Sequence, residues 1–110
     1  MKTIYNSSND KKDIVKAGTT PNALKDLVGN EITIKNIVLF EDTKEDETVV
    51  KVCAVELEDG WYNTTSPSII DTIDMIVEGY TADDIHEGIP ARVQSGKSSK
   101  GREYFTIALL

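Results

Sequence analysis

The hydrophobic period of this chain changes once along its folded part, and that change constrains the fold more than any other feature. From Glu31 to Thr64 the apolar residues are mostly β-branched and follow strand patterns. From Ser66 to Gly79 they recur as Ile69, Ile70, Ile73, Ile76 and Val77, the spacing of one helical face. Ser66 is placed to cap that helix, Pro67 suits its first turn and Gly79 can end it. The strand pattern returns in Ile89 to Ser95 and Glu103 to Leu110. A single strong helix is therefore expected inside a succession of strands.

Ahead of that helix, Glu31 to Glu41 alternates at first and then turns continuously apolar, which predicts a long strand bent by a bulge near Asn36. The acidic run Asp42 to Glu47 forms a turn into a second strand, Thr48 to Glu58. Asp59-Gly60 is a hairpin signal leading to a short third strand, Trp61 to Thr64. Thr20 to Gly29 reads as a short N-terminal helix with Leu24, Leu27 and Val28 as its buried stripe, and residues 1–13 as a mobile lead-in, because Asn6 to Asp13 is polar and aperiodic. Residues 14–110 then make one domain, since a chain of 110 residues supports a single core. The expected fold is mainly β: an OB-fold-like five-stranded antiparallel barrel, with a helix between strands three and four and a short N-terminal helix. An open α+β sandwich has the same element order.

The formal charge of −7 is unevenly spread: residues 1–37 carry +2, residues 38–88 carry −12 and residues 89–110 carry +3. A polyanion would be repelled by the middle and held only at the end. One cysteine, Cys53, allows no internal disulfide or cysteine-held zinc, and no apolar run reaches membrane-spanning length, so a cytoplasmic protein without membrane contact is expected. Catalysis is poorly supplied. The one histidine, His86, lies in an acidic connector without a recognised ligand spacing, and the paired carboxylates are solvated runs. Gly96 to Gly101 fails as a phosphate loop because Arg102 and a strand follow Gly101. No enzyme, metal or cofactor is expected.

Binding is better supplied. Strand alternation turns Ile89, Ala91, Val93, Phe105, Ile107 and Leu109 to one side, leaving Arg92, Gln94, Arg102, Tyr104, Thr106 and Ala108 on the other, with Lys97 and Lys100 at the hairpin tip. Cations beside an exposed ring are what single-stranded nucleic acid uses: phosphates meet Lys and Arg while a base stacks on the aromatic. Trp61 and Tyr62 extend the platform, one outward and one inward. The acidic turn Asp42 to Glu47 opposes this reading.

Asp59-Gly60-Trp61-Tyr62, the Ser66-Pro67 helix start with Ile69-Ile70, and Val93 through Ser98-Ser99-Lys100-Gly101 to Tyr104-Phe105 resemble the single-stranded DNA-binding proteins of small tailed phages, most of all those of Bacillus phages with protein-primed linear genomes. The resemblance implies sequence-independent coating and protection of displaced strands during phage replication, in the host cytoplasm. It assigns Lys97, Lys100 and Arg102 to phosphate and Tyr62 and Tyr104 to bases. Single-stranded DNA and phage replication proteins would be the partners. The main alternative is an acidic, DNA-mimicking inhibitor of a host protein, motivated by the charge of residues 38–88. Apolar residues on both faces from Ile32 to Phe40 leave open a homo-oligomer, a cooperative array on DNA, or a helix packed on the second face.

Overall fold

The computed structural model describes residues 2–110. Its elements are β1 (Lys2–Asn6), α1 (Lys11–Thr19), a single 3-10 turn (Leu24–Leu27), β2 (Glu31–Ile34), β3 (Asn36–Thr43), β4 (Val49–Leu57), β5 (Gly60–Thr64), α2 (Pro67–Gly79), α3 (Ala82–His86), β6 (Ile89–Lys97) and β7 (Glu103–Leu109). The strands form two antiparallel sheets, β1-β3-β4-β5 and β2-β6-β7. The fold is mainly β, with α2 lying between the third and fourth of the strands expected from sequence.

The bend near Asn36 is a change of sheet. Up to Ile34 the chain pairs with β6, and from Asn36 it pairs with β4. Lys35 marks the break, its N–H still bonded to the Glu56 carbonyl at 2.8 Å. Ser7, 2% exposed, braces this corner. Its hydroxyl donates to Asn36 Oδ1 and accepts from the Ile37 N–H, and its carbonyl takes a bond from His86 Nε2 at 2.8 Å. A carbonyl can only accept, so the proton of that imidazole sits on Nε2.

Two corrections to the expected fold share one cause. The sheets do not close into a five-stranded barrel, because β5 and β7 do not pair with each other. The residues expected to begin a helix at Thr20 run extended along the β5 edge instead. There the Asn63 N–H donates to the Asn22 carbonyl at 2.9 Å, Asn63 Nδ2 donates to the Thr20 carbonyl at 2.9 Å, and Ala23 bridges Asn63. The Thr20 hydroxyl caps no helix; it donates to the Trp61 carbonyl at 2.7 Å. Only Leu24–Leu27 coils, as one 3-10 turn, and it delivers Leu24, fully buried, between the sheets. The β5 edge is thus satisfied by residues 20–23, and closure against β7 would displace them.

The expected lead-in also holds structure. Lys2–Asn6 pairs with the outer edge of β3, and Asp10 caps α1 through the Lys12 N–H at 2.9 Å. Met1 lies outside the described residues.

The main core fills the space between the sheets with Ile34, Ile37, Leu39, Val55, Ile89, Val93 and Ile107, closed by Ile69, Ile73 and Ile76 of α2. Ser66 precedes α2 as expected but gives it no side-chain cap; its hydroxyl donates to the Phe105 carbonyl of β7 at 2.9 Å. A second cluster, Val38, Phe40, Ala54 and Trp61, lies on the other face of the four-stranded sheet beneath Ala17 of α1. The two-sided apolar character of the Ile32 to Phe40 segment is therefore met within this chain, by a helix.

Candidate nucleic-acid interface

Hydrogen bonding fixes the shape of the basic hairpin. Ser98 N–H donates to the Arg102 carbonyl at 2.8 Å and Gly101 N–H to the Ser98 carbonyl at 2.9 Å, leaving a three-residue loop of Ser99, Lys100 and Gly101. Gly101 has φ of 79°, the left-handed conformation such a loop requires at its last position. Lys97, Lys100 and Arg102 are all exposed around this tip. Glu103 stands directly across from Lys97 and sets one carboxylate at the root.

Pairing of Gly96 with Tyr104, Gln94 with Thr106 and Arg92 with Ala108 puts these residues on the outer face of the three-stranded sheet, as alternation predicts. Tyr104 is 43% exposed. Its ring lies over Gly96 so closely that a Cβ there would stand 2.7 Å from the phenol oxygen. Gly96 thereby gives the aromatic a flat seat beside the cationic loop. A Gly96→Ala variant is expected to fold with a stability change below about 1 kcal/mol, since the displaced atoms are the end of a flexible side chain, but to lift the ring. NMR checks this: the Gly96 Hα signals, shifted upfield by the ring in the unmodified protein, give way in the variant to a single Hα near the ordinary alanine position.

The other expected residues are dispersed. Arg92 shares the outer face, but its Nη2 is 2.7 Å from Glu31 Oε1 across the β2–β6 pair, so its charge is already matched. At such exposure the pair contributes little to stability, about 0–1 kcal/mol. Tyr62 faces the inter-sheet core, half-buried, and its hydroxyl donates to Asp59 Oδ2 at 2.9 Å. That bond to a carboxylate raises the phenol above its ordinary pKa. Trp61 is the residue that leaves the site altogether: it is 5% exposed in the cluster under α1, and its Nε1 has no hydrogen-bond partner among the described residues. Tyr62 and Trp61 occupy opposite faces of one sheet, and neither joins Tyr104.

Three surface clefts differ in charge. One of about 410 Å³ includes Glu31, Glu58 and Asp59, and one of about 360 Å³ includes Asp71 and Asp74, with Lys51 bound to Asp74 at 2.8 Å. The third, about 340 Å³, lies at the unpaired β5–β7 seam. It is lined by Lys25, Asn63, Thr64, Thr65, Ser66 and Phe105 together with Ala23, with no carboxylate among the described residues. Lys25, on the 3-10 turn, carries no sequence signal of a site, and Phe105 is half-buried with its side chain packed against the main core.

Cys53 is fully buried, and burial pushes its thiol up to about 12, so it is an inert part of the core. Among the described residues no group of His, Cys, Asp and Glu is arranged to hold a metal ion, and no helix is long and apolar enough to cross a membrane. No protein-family model, curated protein or solved structure matches the chain.

Proposed function

We propose that this chain binds single-stranded DNA without sequence preference through the β6–β7 hairpin. The observation that carries this reading is Tyr104, held half-exposed over Gly96 with Lys97, Lys100 and Arg102 on the adjoining loop. A ring beside cations serves any base and any phosphate, so it favours binding that ignores sequence. The element order supports an OB-like reading: a first strand shared between two sheets at Lys35, a helix after the third strand, and the basic hairpin in the position of a customary nucleic-acid loop. The open β5–β7 seam departs from that fold. With the phage resemblance, the role is coating and protection of displaced strands during replication in a host cytoplasm, as a cooperative array and with other replication proteins as neighbours, and without catalysis.

The test is fluorescence anisotropy of end-labelled oligo-dT titrated with the protein at low and near-physiological salt, with the same oligonucleotide as duplex for comparison. Saturable binding that weakens with salt and is much poorer for duplex is expected. No binding at low salt would refute the reading. The acidic surface would then be the place to look, with the DNA-mimicking inhibitor as the function to test.

A further inference from the structure

We propose that the unpaired seam between β5 and β7 takes one nucleotide of the bound strand, its base against Phe105 and its phosphate at Lys25. This rests on the single-strand reading above and adds to it a second site, separate from the face of Tyr104.

The seam exists because the β5 edge that would have closed it is engaged elsewhere. Residues 20–23 occupy the β5 edge through Asn63, and the Ser66 hydroxyl occupies the Phe105 carbonyl. What lies between is a cleft of about 340 Å³, within the roughly 300–1,000 Å³ range of ligand sites. The charge comparison then decides which ligand. Both other clefts present carboxylates, which repel phosphate, whereas the described lining of this one presents one ammonium and none. Of these three clefts it is the one that an anion enters without meeting a carboxylate among the described residues.

Its remaining lining suits a base. Phe105 supplies a half-buried ring, and Asn63, Thr64, Thr65 and Ser66 supply hydroxyl and amide groups. The Thr64 hydroxyl oxygen accepts from the Ser66 N–H at 3.0 Å, which leaves its own proton to donate. The Ser66 hydroxyl and the Asn63 amide already donate within the fold, so the Thr64 and Thr65 hydroxyls, which can donate and accept, are the groups that meet the edge of any base. Connection to the hairpin follows from topology. Consecutive residues of a strand project to opposite faces, so Tyr104 and Phe105 point to the two sides of β7. Because β7 is the outermost strand of its sheet, a nucleic-acid chain can pass round it, with one base on the outer face and another in the seam.

The experiment compares oligo-dT binding by the full chain and by the Phe105→Leu, Lys25→Gln and Tyr104→Ala variants, together with backbone amide NMR of the unmodified protein as oligo-dT is added. Phe105→Leu, which keeps an apolar side chain in place, should weaken binding about tenfold, as expected for one lost stack. Lys25→Gln should reduce the slope of log affinity against log salt by about 0.7, one phosphate contact on a single strand. The amides of Thr64, Thr65, Ser66 and Phe105 should shift alongside those of the hairpin. The amide result reads the seam without any substitution, so a poorly folded variant does not spoil the test. If Tyr104→Ala loses affinity while both seam variants bind normally and amide shifts stop at the hairpin, the seam is refuted and the hairpin reading stands. If the unmodified protein does not bind oligo-dT at low salt, both are overturned.

Discussion

Replacing Lys97, Lys100 and Arg102 together by glutamine is expected to lower the affinity for oligo-dT by two to three powers of ten at about 50 mM salt. Each phosphate contact on a single strand contributes about 0.7 to the slope of log affinity against log salt, so three contacts give about 2. Between molar salt, where counterion release contributes nothing, and about 50 mM, that slope amounts to the stated loss. The fold should be unaffected, because all three side chains are exposed and the loop is held by backbone bonds and by Gly101. Salt titrations of the variant beside the unmodified protein check both numbers. An unchanged slope would mean that these cations only keep the turn in solution and that phosphate is held elsewhere.

Leu24→Ala is expected to cost about 3 kcal/mol in urea unfolding. Large-to-small changes at sealed positions cost about 2–5 kcal/mol, in part through the cavity they leave, and Leu24 is fully buried. It reaches the core from a single 3-10 turn that packs on β5 and β6. The neighbours most able to collapse around a void belong to two different sheets, which limits relaxation. With total stabilities commonly near 5–15 kcal/mol, the loss would be a large fraction of the whole. A cost below about 1 kcal/mol would show that the 20–27 segment merely lies on the sheets and does not hold them.

How much of this was legible depends on whether one segment carried its own pattern. The α2 helix was, because Ile69, Ile70, Ile73 and Ile76 repeat its period, and all four are buried. The change of sheet at Lys35 was legible as a bend, since an alternating strand that becomes continuously apolar must have its faces covered by different things. What covered them was not: α1 buries only Ala17 and leaves Val15 63% exposed, so its composition resembles a polar linker. Thr20 to Gly29 has a genuine apolar stripe, but its backbone is claimed by Asn63, 43 residues beyond Thr20, which no local rule anticipates. The same distance problem divides the site. Tyr104 and the loop cations were readable because one hairpin carries them. Arg92 was neutralised by a residue 61 positions away, and the sidedness of Trp61 and Tyr62 could not be decided while both faces of their sheet were apolar.

The seclusion of Trp61 has a spectroscopic consequence. It is the sole tryptophan, so the intrinsic emission excited at long ultraviolet wavelength arises from one indole, 5% exposed, in an apolar cluster with Ala17, Val38, Phe40 and Ala54. Such an indole emits toward the blue and is poorly reached by soluble quenchers. Its signal is therefore a gauge of whether residues 11–19 remain seated, and a red shift that precedes loss of the sheet signal in circular dichroism would time their departure separately from global unfolding. Bases stacking on Tyr104, at the far side of the molecule's other sheet, would leave that emission untouched.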